Sequence, residues 1–272
     1  MTRSRDQLQH RQWVVLNDLQ IPFEDKPVLW DLVVPFIREL KPYGIVLNGD
    51  IVDNHEISDF SKDPALRRMD LKAERKGLSR LLAALAPVTT ERWFLEGNHE
   101  DRYRRYIWSR VPELAAAGTV PGFAEAFHLA DHGFQHKPYG GSVRLGKLLV
   151  THGFLVAQDS GVSAKRHFMR LGTSVLIGHT HRAGVFYRTN QAGDHAAYEN
   201  GCLCQLDGLG YAQFPDWQQA FSVVDVFPGG MFNVNLLRIL ARRAFIYGGT
   251  VVRRSLPRVR LPVRKALLAA PT

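Results

Sequence analysis

The sequence predicts a single α/β domain with a mixed or paired β-sheet. Short apolar runs alternate with amphipathic helical stretches over the first two thirds of the chain, and from Gly184 the rhythm changes to hairpins. The apolar fraction supports the same class. With 272 residues, 45% hydrophobic and 22% charged, the chain can bury a sizeable core, which excludes disorder as its dominant state.

The elements follow in order. Residues 13–16, Trp-Val-Val-Leu, form a buried strand ending in Asn17-Asp18. Residues 26–40 place Val28, Leu29, Leu32, Val33, Phe36, Ile37 and Leu40 at helical spacing, with Pro42 and Gly44 as the stop. Residues 45–47 are the next strand, ending Asn48-Gly49-Asp50. A second amphipathic helix spans 64–85, with Pro64 suited to its first turn. Strands at 92–95, 148–150 and 174–177 end in Gly97-Asn98-His99-Glu100, Thr151-His152-Gly153 and Gly178-His179-Thr180-His181. Residues 223–227 and 231–236, joined by Pro228-Gly229-Gly230, read as an antiparallel hairpin. The domain is drawn as residues 1–247, followed by a basic extension, 248–272, containing Pro257 and Pro262, which reads as an extended tail or as a short terminal strand followed by a tail.

The net charge of +9 is unevenly placed. Residues 1–225 hold 26 basic and 26 acidic side chains, whereas residues 226–272 hold nine cations and no acid. A protein that coats nucleic acid with its whole surface is therefore not indicated, although the basic C-terminal segment offers a nucleic-acid contact. No apolar run reaches the ~18 residues needed to span a bilayer, and no signal-peptide pattern precedes Trp13. Cys202 and Cys204 read as reduced, partly buried thiols. The expected location is cytoplasmic, with no membrane partner.

Five strands stop at clusters of Asp, Asn, Gln and His. Ligands of open α/β sheets sit outside the carboxyl ends of the strands, so these clusters should converge on one site. Carboxylates, an amide oxygen and imidazoles, with no thiolate among them, suit Mn²⁺, Fe, Zn²⁺ or Mg²⁺. The donors are too many for one tetrahedral ion, which favours a dinuclear centre with a bridging carboxylate.

Taken in order, Asp18-Leu19-Gln20, Gly49-Asp50-Ile51-Val52-Asp53, Gly97-Asn98-His99-Glu100, Thr151-His152-Gly153 and Gly178-His179-Thr180-His181 resemble the signature of the calcineurin-like metallophosphoesterase superfamily. The stretches around Asp18, Asp50 and Asn98 look most similar to phage and prophage members, which for a phage-encoded chain implies the host cytoplasm. The resemblance implies a four-layer αββα sandwich of two mixed β-sheets flanked by helices. It implies that Asp50 bridges two divalent ions, with Asp18, Gln20 and His181 completing one site and Asn98, His152 and His179 the other. Manganese is the preferred ion, with iron, zinc, magnesium or nickel as alternatives. His99 would protonate the leaving group or stabilise phosphoryl charge, with Asp53 hydrogen-bonded to it and favouring its protonated form. Metal-activated water would attack phosphorus in line.

Gln20 departs from the family pattern, which has His there. A neutral amide oxygen should weaken that site and shift it toward harder ions. Substrate-binding candidates are His55, Arg102 and Arg182; for the two arginines a surface ion pair is the competing reading, with Asp101 or Glu100 as Arg102's partner. The cations of the second helix, from Arg67 to Arg80, read as a solvated, salt-bridged face, and Tyr103, Tyr106 and Trp108 as packing of theirs. Because the resemblance associates His181 with diesterase branches, the expected activity is a phosphodiesterase on nucleic acid or nucleotides. The alternatives are a phosphomonoesterase and a metal-bound scaffold without catalysis.

Overall fold

The computed structural model describes residues 10–59, 70–206 and 215–254. The chain runs β1 (Arg11–Leu16), α1 (Lys26–Val28), α2 (Val34–Leu40), β2 (Gly44–Asn48), α3 (Leu71–Leu85), β3 (Glu91–Leu95), α4 (Asn98–Arg110), α5 (Pro112–Ala116), α6 (Phe123–Ala126) and β4 (Gln135–Lys137). It continues through β5 (Ser142–Leu145), β6 (Leu148–Thr151), α7 (Val162–Leu171), β7 (Val175–Ile177), β8 (Ala183–Asn190), β9 (Gly193–Asn200), β10 (Ala220–Val226), β11 (Phe232–Arg238), β12 (Ala244–Tyr247) and β13 (Thr250–Arg253).

Two mixed sheets result, ordered β11-β10-β1-β2-β3-β4 and β5-β6-β7-β9-β8, with β12-β13 as a separate hairpin. Strand alternation explains the layers. Trp13, Val15, Val46 and Leu95 point from the first sheet into a shared core with Val143, Leu148, Val150, Leu176 and Tyr198 of the second. Their neighbours Val14, Leu16, Ile45, Leu47 and Phe94 point the other way, onto Val28, Leu32, Phe36, Ile37 and the α3 residues Leu78, Leu81, Leu82 and Leu85. On the far face of the second sheet, Ala164 and Phe168 of α7 pack on Val175, Ile177 and Ala197. These are the four αββα layers the motifs implied.

Three local outcomes differ from the sequence pattern. The helix expected over 26–40 contains a π-helical turn, Leu29–Val33, because Pro35 has no N–H to donate and the bonding is displaced around it. The expected start of the second helix at Pro64 lies outside the described residues, as do Arg67 and Arg68; Asp70 caps α3, its Oδ1 accepting the Ala73 N–H at 2.7 Å. The boundary drawn at 247/248 falls in the turn of the β12-β13 hairpin, and Phe245 of that hairpin is fully buried against Phe36 and Phe221. Residues 255–272 of the expected extension lie outside the described residues.

Among the described residues, the cations of α3 form no salt bridge of the kind expected. Asp70 is used as the cap and Glu74 is turned inward, so the cations find other partners: Arg80 lies 4.0 Å from the Trp30 ring centroid and Arg75 Nη2 lies 2.9 Å from His128 Nε2. On α4 only Tyr103 packs inward, against Phe123 and Phe127. Tyr106 and Trp108 are exposed, the latter beneath Arg104.

Candidate metal centre

The five strand-end clusters lie at the carboxyl ends of β1, β2, β3, β6 and β7. Backbone bonds lace the loops together. Asp18 and Gln20 donate to the Gly49 and Asp50 carbonyls at 3.0 and 2.9 Å, and Gly178 donates to the His152 carbonyl at 3.0 Å. Five of the seven candidate ligands, Asp18, Gln20, Asp50, His179 and His181, hold a left-handed backbone with φ between 51° and 70°. Non-glycine residues adopt that region at a cost, and a concentration of it at one site is a mark of function. Two motif glycines answer to close approach. A Cβ on Gly97 would overlap Asp50 Oδ1, and one on Gly178 would lie 2.7 Å from Asp18 Oδ2.

The side chains gather in two neighbouring sets. In one, Asp50, His152 and His179 bring donor atoms within 4.8 Å of one another, and Asn98 Oδ1 lies 3.2 Å from His152 Nε2. In the other, His181 Nε2 lies 3.2 Å from Asp18 Oδ1 and 3.1 Å from Gln20 Nε2. A half-turn of the Gln20 amide presents its oxygen at the same place. The sets fit divalent ions. They combine oxygen and imidazole donors, and His179 Nδ1 is buried without a hydrogen-bond partner among the described residues.

The electrostatics are those of buried groups balancing one another. Burial opposes charge on His152, yet the Asp50 carboxylate raises it to about 10. Asp50 in turn is held below the carboxylate range, despite its burial, by His152 and His99. His179 is lowered to about 4 by burial and the charge on His152, so its imidazole is neutral. His181 is raised to about 10 against its burial, by Cys204 and Asp18. Cys204 is itself pushed well up by its hydrogen bond with Cys202 and by burial, so Asp18 supplies the charge near neutral pH.

His99 lies beside this pair of sets. Its Nδ1 is 2.7 Å from Asp53 Oδ1, its Nε2 is 3.1 Å from Arg102 Nη2, and the same Nε2 is 3.6 Å from Asp50 Oδ2. That pairing places the Nδ1 proton on the Asp53 side. Burial would raise Asp53, but His55, His99 and Arg102 hold it below the usual carboxylate range. Arg102 pairs with Asp53, whereas Asp101 is taken by Arg104 and Arg105. His55 Nδ1 is 3.4 Å from Asp53 Oδ2, and Arg182 is paired with the exposed Asp216.

The sequence comparisons agree with this geometry. The profile of calcineurin-like phosphoesterases matches residues 13–183, which contain every candidate ligand. The chain belongs to the calcineurin-like phosphoesterase family. It is 30% identical over 253 residues to the gene 54 protein of Mycobacterium phage D29, covering 86% of this chain and 96% of that one. The gene 54 protein of Mycobacterium phage L5 is 29% identical over 230 residues, 78% and 88% of the two chains. Among solved structures, Vps29 of Chaetomium thermophilum shows 13% identity over 90% of this chain and all of that one, with a TM-score of 0.44. A dimetal phosphatase from Danio rerio shows 13% identity over 90% and 99%, with a TM-score of 0.40. The protein is thus a metal-dependent phosphoester hydrolase of a dinuclear-metal family.

In this calcineurin-like phosphoesterase several residues support the site from outside the set of candidate ligands. Glu100 accepts backbone N–H groups from Asp50, Ile51, Val52 and Gly97, at 2.7–3.0 Å. Glu74 accepts those of Asn54 and His55 at 2.6 and 2.9 Å. His167 Nε2 accepts from Phe154 N and Leu155 N, fixing the loop after His152. Cys202 and Cys204 are free, as expected, but fully rather than partly buried, and Cys204 Sγ lies 3.9 Å from His181 Nδ1. The Trp217 ring packs on His181 with centroids 4.4 Å apart. Among the described residues, no helix is long and apolar enough to cross a membrane.

Proposed function

We propose that this phosphoesterase is a phosphodiesterase acting on nucleic acid or nucleotides. It would hold two divalent ions, with manganese preferred, on Asp18, Gln20 and His181 and on Asn98, His152 and His179, sharing Asp50. The observation that carries the reading is the position of His181, buried and facing both Asp18 and Gln20. It completes the G-H-x-H motif that the superfamily resemblance associates with diesterases. Bound there, divalent ions supply Lewis acidity that neutralises phosphate oxygens and lowers the pKa of water.

The remaining chemistry belongs to the chain's own groups. Asp53 orients the His99 ring through Nδ1, and Arg102 sets a guanidinium beside Nε2. That edge faces Asp50, so a phosphoryl group held at the metal ligands meets an imidazole and a fixed positive charge. His99 is the group positioned to deliver a proton to the departing alkoxide oxygen. The test is hydrolysis of bis-p-nitrophenyl phosphate against p-nitrophenyl phosphate with Mn²⁺. The diester should be preferred, and a monoester preference of about tenfold or more, ~1.4 kcal/mol, overturns the reading.

A further inference from the structure

Immediately after His152 the chain enters a loop that leans on α7. Between them lies a groove of about 600 Å³ lined by Leu155, Val162, Lys165, Arg166, Met169 and Arg170. Three of the lining residues are cations and none is an acid. Among the described residues, Lys165, Arg166 and Arg170 form no ion pair. Their other contacts leave the charge facing solvent. Arg166 Nη1 donates to the Val156 carbonyl at 3.0 Å, Arg170 lies 5.6 Å from the Phe154 ring centroid, and Lys165 lies 5.6 Å from that of Phe186. Residues 1–225 are formally neutral, so this groove is a local concentration of positive charge within that part of the chain.

The rim is apolar. Phe154, Val156 and Met169 are 47%, 56% and 58% exposed. Phe154 is nevertheless fixed: its N–H is held by His167 Nε2 at 3.0 Å, and its ring lies edge-on to that imidazole with centroids 4.9 Å apart. A rigid exposed aromatic ring flanked by unopposed cations is the arrangement that binds single strands, with bases stacking on the ring and phosphates pairing with the cations.

We propose that this groove binds the strand flanking the scissile phosphodiester of a single-stranded nucleic acid. Phe154 takes a base face, and Lys165, Arg166 and Arg170 take backbone phosphates. The proposal rests on the diesterase reading above and narrows its substrate to a polymer. An acidic protein partner would meet the same charge, but it would make no use of the continuity between the groove and the loop that carries His152.

The experiment separates binding from turnover. Equilibrium binding of a phosphorothioate single-stranded oligonucleotide is measured by anisotropy on the Mn²⁺-loaded full chain and on its Lys165→Ala/Arg166→Ala/Arg170→Ala and Phe154→Ala variants. All four side chains are on the surface, so the fold should survive each change. The triple variant should bind about tenfold or more weakly, and its log K against log salt slope should flatten by about 2, near 0.7 for each phosphate no longer neutralised. Phe154→Ala should weaken binding by about fivefold or more without changing the slope, the signature of stacking. Absent binding by the wild-type protein, or binding and slope unchanged in the triple variant, overturns the groove. Intact oligonucleotide binding without hydrolysis of any diester overturns the diesterase reading instead.

Discussion

At Gln20 the site departs from the family pattern, and His181 is the imidazole that faces it. His181 Nε2 faces Asp18 and Gln20, while Nδ1 faces the Cys204 thiol 3.9 Å away. A ring nitrogen turned to a metal is oriented by whatever its other nitrogen touches, and losing such a partner commonly costs 10–100-fold in metal affinity. Cys204→Ala should therefore weaken Mn²⁺ binding by about tenfold, read by calorimetry, and Cys204→Ser should recover part of the loss. Equal affinity in all three proteins would leave Cys204 as a packing residue. Gln20→His adds an imidazole to that set, so competition between Zn²⁺ and Mn²⁺ should shift toward Zn²⁺ by about tenfold. His99→Asn should lower kcat by about 10²–10⁴ while metal content stays constant. The loss should shrink for p-nitrophenolate, which leaves without a proton, and a uniform loss across leaving groups would remove His99 from the acid's role.

Elements hold these residues through backbone groups. Helix α4 presents Asn98 and His99 in its first turn, and Glu100 in that turn gathers the loop after β2 with four accepted N–H bonds. Glu74 does the same for residues 54 and 55 from α3, and burial together with the nearby Asp53 carboxylate raises it to about 8. The folded protein binds this proton more tightly than the unfolded chain, whose carboxyl titrates near 4.5. Unfolding across that window releases a proton, so Glu74 lowers stability progressively as pH rises from about 4.5 to 8. In Glu74→Gln that component of the Tm profile should vanish, leaving a flatter curve between those limits; an unchanged slope would show that Glu74 is ionised throughout. The metal-type residues were legible because each terminates an apolar run in a short motif. Glu74 was not, and for Glu100 the motif marked the residue but not its role, since the partners of both are backbone N–H groups from another loop, up to 50 residues away. The charge run on α3 was misleading for the same reason: its two acids are spent on a cap and a loop.

Across the whole molecule, the sequence placed the layers, while the boundary at 247/248 divides a hairpin whose second strand, Thr250–Arg253, is the short terminal strand that was one of the two readings of the tail. Periodicity is weak in a hairpin of four-residue strands, and the Gly248-Gly249 turn between them reads locally as a linker. In the structure, Gln12 Nε2 donates to Tyr247 Oη, Arg242 pairs with the buried Asp25, and Val252 packs on the main core beside Phe245. Arg238, Arg242, Arg243, Arg253 and Arg254 therefore belong to described, folded chain, and only Arg258, Arg260, Arg264 and Lys265 remain for an extension. Truncation at two points distinguishes the roles. Ending the chain after residue 247 removes the partner strand of Phe245, and its Tm should fall about 5–10 °C below that of a chain ending after 254. That corresponds to ~2–3 kcal/mol at 2–4 °C per kcal/mol for a domain of this size. Ending after 254 removes four cations. If these contact phosphate, the salt slope of oligonucleotide binding should flatten by about 3. A slope identical to that of the full chain would assign the electrostatic part of binding to the folded body, which includes the groove on α7.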